Sequence, residues 1–349
     1  MIKSRKMLAS VLTSCVLAAG LATNAMADNA KKTHIDVIAK GFQHQFWKAV
    51  ELGSNKAAKE LGIEVTFQGP DTESNIAQQL EYLNTAIAGK PDAICLAALD
   101  TNASLGAISE AQDEGIPIIG FDSGVPNAPE GAIKANASTD NYAAGALAAT
   151  ELFKLIEPKI KAAKEPVRIG VVTQDWNGES VKSRTKGFVD EVVKLVGKNN
   201  VSIEGHDALR NENDKAKVIV DIGIPAEVKD VDAAAVASAL LEKEDLIAIY
   251  GSNEFAANAI ITANEGLEKI GKGKVVAVGF DAGKKQLDAV RAGLFAGSIT
   301  QDPVQIGYKA VKLAYDASHG KAVKDVDTGA KWYNSTNMDD ADIKPCLYE

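Results

Sequence analysis

The chain predicts an α/β protein of two lobes, each a parallel central sheet flanked by helices, with a ligand cleft between them. Three observations carry this. Short apolar, β-branched runs alternate with longer amphipathic ones from Thr33 onward, the pattern of βαβ units. The pentapeptide GFDSG at residues 120–124 returns as GFDAG at 279–283, each time after such a run. The 349 residues suffice for two domains of ordinary size. A short strand that is apolar throughout is buried on both faces. Asp122 and Asp281 then stand just past strand C-termini, the edge at which open α/β sheets bind ligands. One carboxylate from each sheet implies two lobes meeting over one polar ligand.

The expected strands are 35–39, 63–68, 92–99, 116–121, 168–174, 200–205, 246–251, 274–280 and 295–300. Helices are expected near 45–61, 74–89, 102–114, 140–157, 180–197, 231–243, 254–269, 284–292 and 303–318. In the first of them, Phe46, Ala49, Val50, Leu52, Ala57 and Leu61 form an apolar stripe, mostly at three- and four-residue steps. Crossings between the sheets are expected near 136–139, before Asp140-Asn141, and near Gln301-Asp302-Pro303, where proline opens a helix. The charged segment from Lys159 to Pro166 reads as a surface connection.

The first 27 residues read as a secretory leader. Lys3, Arg5 and Lys6 precede an apolar run from Met7 to Leu21, and Ala25-Met26-Ala27 forms a cleavage site before Asp28. Leu12-Thr13-Ser14-Cys15 offers an alternative, a lipid anchor at Cys15. The apolar run is too short for a membrane span. A net charge of −9, with no compensating basic run, excludes nucleic acid as partner. Past the leader only Cys95 and Cys346 remain, without metal or redox spacing, and Cys95 sits in an apolar run as a small buried hydrophobe. No cofactor or metal is expected. The turn after the first strand, Gly41-Phe42-Gln43, is no dinucleotide loop, and phosphate-loop and G-x-S-x-G motifs are absent.

Taken in order, several features resemble one family. They are Lys40 followed by Phe46-Trp47, Ile116-Pro117 with Asp122, Asp140-Asn141, and Arg184-x-x-Gly187-Phe188. Ser252-Asn253-Glu254, Gly279-Phe280-Asp281, and Gln301-Asp302-Pro303 with Gln305-Ile306-Gly307 complete the set. Across about residues 33–330 the chain resembles the periplasmic sugar-binding proteins of the ribose-binding type, solute receptors of ABC importers. The resemblance implies two Rossmann-like lobes joined by three hinge segments. These are residues 28–138 plus 302–328 for the N-terminal lobe, and 139–301 plus 329–349 for the C-terminal lobe. It implies a monosaccharide or similar polyol bound between them, a membrane permease as partner, a monomeric receptor in the periplasm, and in some cases presentation to a chemoreceptor.

At matching positions Phe46 and Trp47 would stack on the sugar ring. Asp122, Arg184, Asn253, Asp281 and Gln301 would hydrogen-bond its hydroxyls. Relatives carry an arginine where this chain has Ser123, and small polar groups where it has Lys40 and His44; residues 222–225 also look altered. These departures put ribose itself in question, and Lys40 also resembles receptors for a furanosyl signal. In the loop after an apolar strand, Asp175 and Trp176 are further cleft candidates, although Trp176 equally fits packing between lobes. Each residue has a plainer reading as well. Asp before Gly is ordinary turn chemistry, Asn253 is a good helix cap, and Lys40 and His44 suit a solvated loop. Three rival functions are weighed against transport. A carbohydrate-active enzyme would use the two carboxylates for hydrolysis. A transcriptional regulator would need a helix-turn-helix where the leader stands. A furanosyl-signal receptor would keep the same fold.

Overall fold

The computed structural model describes residues 32–349; the leader, its cleavage after Ala27 and the alternative site at Cys15 lie outside the described residues. The chain begins β1 (His34–Ile38), α1 (Gln45–Leu61), β2 (Glu64–Gln68), α2 (Ile76–Gly89), β3 (Ala93–Leu96), α3 (Leu105–Asp113), β4 (Ile118–Phe121), β5 (Ile133–Ser138). It continues α4 (Asn141–Ala162), β6 (Val167–Val172), α5 (Glu179–Val196), β7 (Val201–Glu204), β8 (Val218–Gly223), α6 (Asp230–Leu241), β9 (Leu246–Gly251), α7 (Glu254–Leu267). It closes with β10 (Val276–Phe280), α8 (Lys284–Arg291), β11 (Phe295–Gln301), α9 (Pro303–Ser318), β12 (Val326–Asp327) and β13 (Ala330–Tyr333).

These strands form two sheets, in the orders β12-β5-β4-β3-β1-β2 and β13-β11-β10-β9-β6-β8-β7. Every pairing is parallel except β11 with β13. The expected α/β class with two parallel sheets is therefore what forms. The sheets repeat one plan: β2-β1-β3-β4-β5 in the first matches β8-β6-β9-β10-β11 in the second. β4 and β10, the strands of the repeated pentapeptide, occupy equivalent places. Cys95 lies inside β3 and is fully buried, and both Cys95 and Cys346 are free thiols.

The chain passes between the sheets after Ser138, after Gln301 and between Asp327 and Ala330. The passages are tied to each other. The Thr328 amide donates to Ser138 O at 3.0 Å, the Asp140 amide to Asp327 Oδ1 at 3.1 Å, and Thr139 Oγ1 to Gly329 O at 3.3 Å.

Four strands escape the sequence pattern: β5, β8 and the short β12 and β13. In β8 the apolar run is broken by Asp221, whose charge is used inside the fold, 2.8 Å from Arg168 Nη1 and 3.1 Å from Lys243 Nζ. Lys134 and Asn136 dilute β5, where the Asn136 amide donates to Asp325 Oδ1 at 2.7 Å. The segment expected as a surface connection from Lys159 is helical as far as Ala162, because α4 runs on through Pro158.

Within each sheet layer, two helices meet backbone to backbone at glycines. A Cβ on Gly53 would lie 2.0 Å from Val304 O, and one on Gly307 2.0 Å from Val50 O, which locks α1 to α9. Likewise a Cβ on Gly145 would lie 2.0 Å from Arg184 O, and one on Gly187 2.0 Å from Tyr142 O, which locks α4 to α5. The second crossing fixes the height of Arg184 above its sheet. Gly187→Ala is expected to lose about 2 kcal/mol or more, since neither backbone can yield without moving a helix. Gly106→Ala, on an open helix surface where a Cβ meets nothing, should gain up to about 1 kcal/mol. Urea unfolding of both variants reads the two opposite signs.

Candidate functional site

Asp122 and Asp281 follow their strands in left-handed backbone, at φ 54° and 73°. Only Lys90 and Glu268 share that conformation among described non-glycine residues, and both are helix C-caps. A short polar side chain tolerates this region better than most, at a cost of about 1 kcal/mol or more. Matching bonds hold the two turns: the Asp122 amide donates to Ala137 O at 3.1 Å and the Asp281 amide to Ile299 O at 2.6 Å.

The turns bring the carboxylates to one arginine. Arg184 Nη2 lies 3.9 Å from Asp122 Oδ1, and Nη1 lies 3.6 Å from Asp281 Oδ2. α5 presents the guanidinium, and two further contacts fix its plane. Nε donates to Asn141 Oδ1 at 2.7 Å, and Cζ rests 3.9 Å over the Phe280 ring. On the far side of Asp122, Lys40 at the end of β1 places Nζ 3.0 Å from Oδ2 and donates to Ser180 Oγ at 3.0 Å. The two charged groups form a buried ion pair. Gln301, last in β11, donates to Asp281 Oδ1 at 2.6 Å. The result is a buried row of alternating charge, Lys40, Asp122, Arg184, Asp281, drawn from both sheets.

Burial alone would pull the Lys40 ammonium down, but the Asp122 and Glu73 carboxylates outweigh it and the pKa is raised. Burial dominates at Asp281 and raises its pKa, against the pull of Arg184 and Gln301.

The remaining predicted residues distribute around this row. Asn253 caps α7, accepting from the Ala256 amide at 3.0 Å, and donates to Gln174 Oε1 at 2.7 Å. Ser123 Oγ accepts from the Ser180 amide at 3.3 Å. Phe46 packs edge-on against Trp47 and Tyr348, at ring separations of 5.0 and 6.1 Å. The Trp47 indole donates to Glu73 Oε1 at 2.7 Å. His44 precedes α1 and lies 3.9 Å from Glu254 Oε1. Asp175 Oδ1 accepts from the Asn177 and Gly178 amides, both at 2.8 Å, shaping the turn into α5. Trp176 lies against His206 at 4.2 Å, within the second lobe. Asp175 and Trp176 are thus not brought into the charged row.

Sequence reasoning passed over Glu73, Gln174, Glu254 and Tyr348. Gln174 Nε2 reaches across to Glu73 Oε2 at 2.9 Å, so these two residues join the sheets beside the row. Burial would raise the Glu73 pKa, but His44 and Lys40 beside it, with hydrogen bonds from Trp47 and Gln174, bring it below its usual value. The Glu254 carboxyl goes the other way, pushed up to about 8 by burial and by the Asp281 and Glu73 carboxylates. One signal was available for Glu254: it adjoins Asn253 in a quoted motif. Glu73 and Gln174 stand in polar loops with nothing to set them apart.

Buried oxygens without a protein partner cluster here: Glu254 Oε2, Gln301 Oε1 and the Tyr250 hydroxyl. Along the seam a groove of about 830 Å³ opens between His44, Thr72 and Ser74 on one side and Glu254, Asn258 and Lys284 on the other. A separate groove of about 440 Å³, beside Phe153, Pro166 and Lys217, lies at the opposite, N-terminal edge of the second sheet.

Residues 35–322 match the family described as periplasmic binding protein domain. The chain belongs to that family. Among curated relatives, the ribose import binding protein of Escherichia coli (strain K12) is 24% identical over 320 residues, covering 91% of this chain and 95% of the relative. The D-allose-binding periplasmic protein of the same organism is 23% identical, covering 83% and 86%. Among solved structures, a Brachyspira murdochii protein described as "ABC transporter, LacI family transcriptional regulator" is 38% identical. It has a TM-score of 0.78 and covers 91% of this chain and 99% of its own. An Agrobacterium vitis ABC transporter solute-binding protein with bound D-fucose is 28% identical, with a TM-score of 0.77 and coverage of 90% and 100%.

Arg184→Met would leave two buried carboxylates facing each other. Removing one partner of a buried ion pair costs about 3–5 kcal/mol, and urea unfolding at pH 7 should show a loss of that order. At pH 5 the loss should be smaller than at pH 7, because burial holds the Asp281 pKa above its usual value and every proton taken up there lessens the need for the cation. An equal loss at both pH values would contradict the charge assignment.

Proposed function

We propose that this chain captures a monosaccharide or similar polyol between its two lobes and hands it to the membrane permease of an ABC importer. The observation that carries the reading is the alternating row of Lys40, Asp122, Arg184 and Asp281, assembled from the same edge of both sheets. Carboxylates accept from sugar hydroxyls, while ammonium and guanidinium groups donate to them, so a polyol finds both kinds of partner. Gln301 and Asn253 extend the set, and Phe46 with Trp47 supplies flat apolar area for a ring face. The partnerless oxygens of Glu254 and Gln301 are acceptors that hydroxyl donors satisfy, and a wrong epimer leaves them unpaired. The boundaries at 138/139, 301/302 and 328/329 serve as the hinge about which the lobes close.

The relatives support a neutral sugar: one is a ribose import protein, another binds D-allose, and one solved structure holds D-fucose. A further solved relative from Agrobacterium radiobacter, 28% identical with a TM-score of 0.77, holds D-arabinose. In this reading the protein binds and releases without turnover, acts as a monomer, and is exported to the periplasm with its leader removed after Ala27. Delivery to a chemoreceptor is compatible with the same closed form.

A thermal-shift panel of D-ribose, D-allose, D-fucose, D-arabinose and inositols tests the substrate class. A true ligand at 100 times its Kd adds about 2.7 kcal/mol to stability, while a panel without any shift defeats the sugar reading. Asp281→Ala should abolish calorimetric binding of the best hit, and unchanged affinity would remove Asp281 from the site. Intact mass of the secreted protein should place its N-terminus at Asp28.

A further inference from the structure

Several helices carry their own N-terminal caps: Asn75 for α2, Asp140 for α4, Asn253 for α7 and Asp302 for α9 each accept from an amide of the first turn. The residues preceding α1, α3, α5, α6 and α8, namely His44, Ser104, Gly178, Lys229 and Gly283, supply no side-chain cap, and three of these helices, α1, α5 and α8, border the other lobe. All three helices point their N-termini at the seam, and a side chain from the other lobe meets each one. Gln45 Oε1, of the first lobe, accepts from the Lys284 amide of α8 at 3.1 Å. Ser123 Oγ, also of the first lobe, accepts from the Ser180 amide of α5 at 3.3 Å. In the reverse direction the Glu254 carboxyl, 7% exposed, lies beside the N-terminus of α1, 3.9 Å from His44, without a hydrogen bond to its amides. Glycine at 283 makes the room: a Cβ there would stand 2.6 Å from Glu254 Oε1.

The geometry points to helix capping across the seam as the device that holds the lobes together. Gln45 on α8 and Ser123 on α5 are positioning residues that complete helix N-termini of the opposite lobe, and the buried Glu254 carboxyl closes over the start of α1. A helix N-terminus carries unsatisfied amides and partial positive charge. Separating the lobes hands these amides to water, and closing them restores the caps without requiring any contact to ligand. This inference rests on the reading of the two lobes as a ligand-closing pair.

Proton uptake follows from the same contact. Glu254 faces His44 from α1, Glu73 from the loop before α2, Asp281 from the end of β10, and Tyr348 from the C-terminal segment. Lys229, Asp230, Lys284 and Lys285 line the groove outside it. With the lobes apart the carboxyl is hydrated and titrates near its ordinary 4.5; enclosed, it is pushed up to about 8. Closure therefore takes up a proton between those values, and the closed form loses ground as pH rises from about 5 to 8, then levels.

The test uses whichever of D-ribose, D-allose, D-fucose and D-arabinose gives the largest melting shift. Gln45→Ala should weaken its calorimetric affinity about three- to tenfold, with Gln45→Glu restoring it. A lowered melting temperature with unchanged affinity would make Gln45 a local brace and overturn the role. Parent affinity should fall from pH 5.5 to pH 8, whereas Glu254→Gln, which keeps an acceptor but cannot ionise, should be flat and tighter than the parent at pH 8. A slope retained in that variant sinks the proton linkage. If none of the sugars binds the parent, the functional reading fails by itself. Small-angle scattering without ligand then decides the capping: Gln45→Ala with Glu254→Leu should enlarge the radius of gyration, and an unchanged radius overturns it.

Discussion

One buried guanidinium organises this molecule. Arg184 stands between two carboxylates that belong to different sheets, and each of the three is almost wholly withdrawn from water. A charge in that setting is tolerable only when opposite charges and hydrogen bonds surround it. The fold meets the condition on every side: Asn141 at Nε, Phe280 beneath the plane, Asp122 and Asp281 at the two ends. Lys40 and Gln301 then neutralise or hydrogen-bond the outer faces of those carboxylates. Displacing any member leaves a neighbour exposed to a low-dielectric surrounding with no partner. The cleft is therefore specified electrostatically before any ligand is considered.

That arrangement depends on backbone decisions made some distance away. The two aspartates reach Arg184 because their strands end in left-handed turns, each pinned to the neighbouring strand. Arg184 reaches them because α5 lies against α4 with glycine-to-backbone contact at Gly145 and Gly187. The first lobe repeats the device with Gly53 and Gly307, so each lobe is built around one close helix crossing and one strained turn. The charged row is the place where the two copies of this plan meet.

The sequence made much of this legible, for physical reasons. Continuous apolar strands such as Ile116–Phe121 and Val275–Phe280 announce a parallel sheet, and a duplicated Gly-Phe-Asp-x-Gly announces duplicated strand ends. All nine expected helices are present among the described residues, because amphipathic periodicity over ten or more residues is a strong local signal. β8 escaped because Asp221 falls in the middle of its apolar run, and a polar residue there reads as an interruption until its partner is known. The same blindness hid Glu73, Gln174 and Glu254. Their importance lies in contacts across more than a hundred residues of sequence, or across the seam, and no local pattern encodes such partners. Trp176, an aromatic in a strand-to-helix loop that suits either the cleft or packing, rests its ring on His206.

The glycine crossings have a consequence for how such a receptor changes over generations. They weld each lobe's helices by main-chain contact, which leaves little room for the lobe's outer contour to drift. Lys40, His44 and Ser123 all lie in loops beyond strand ends, outside those welds. Substitution there leaves the helix crossings and the outer contour they set untouched. In the proposed transport role, recognition of cargo and recognition by the transport machinery then become separately adjustable traits, which lets a single scaffold be reassigned to new nutrients without renegotiating its docking.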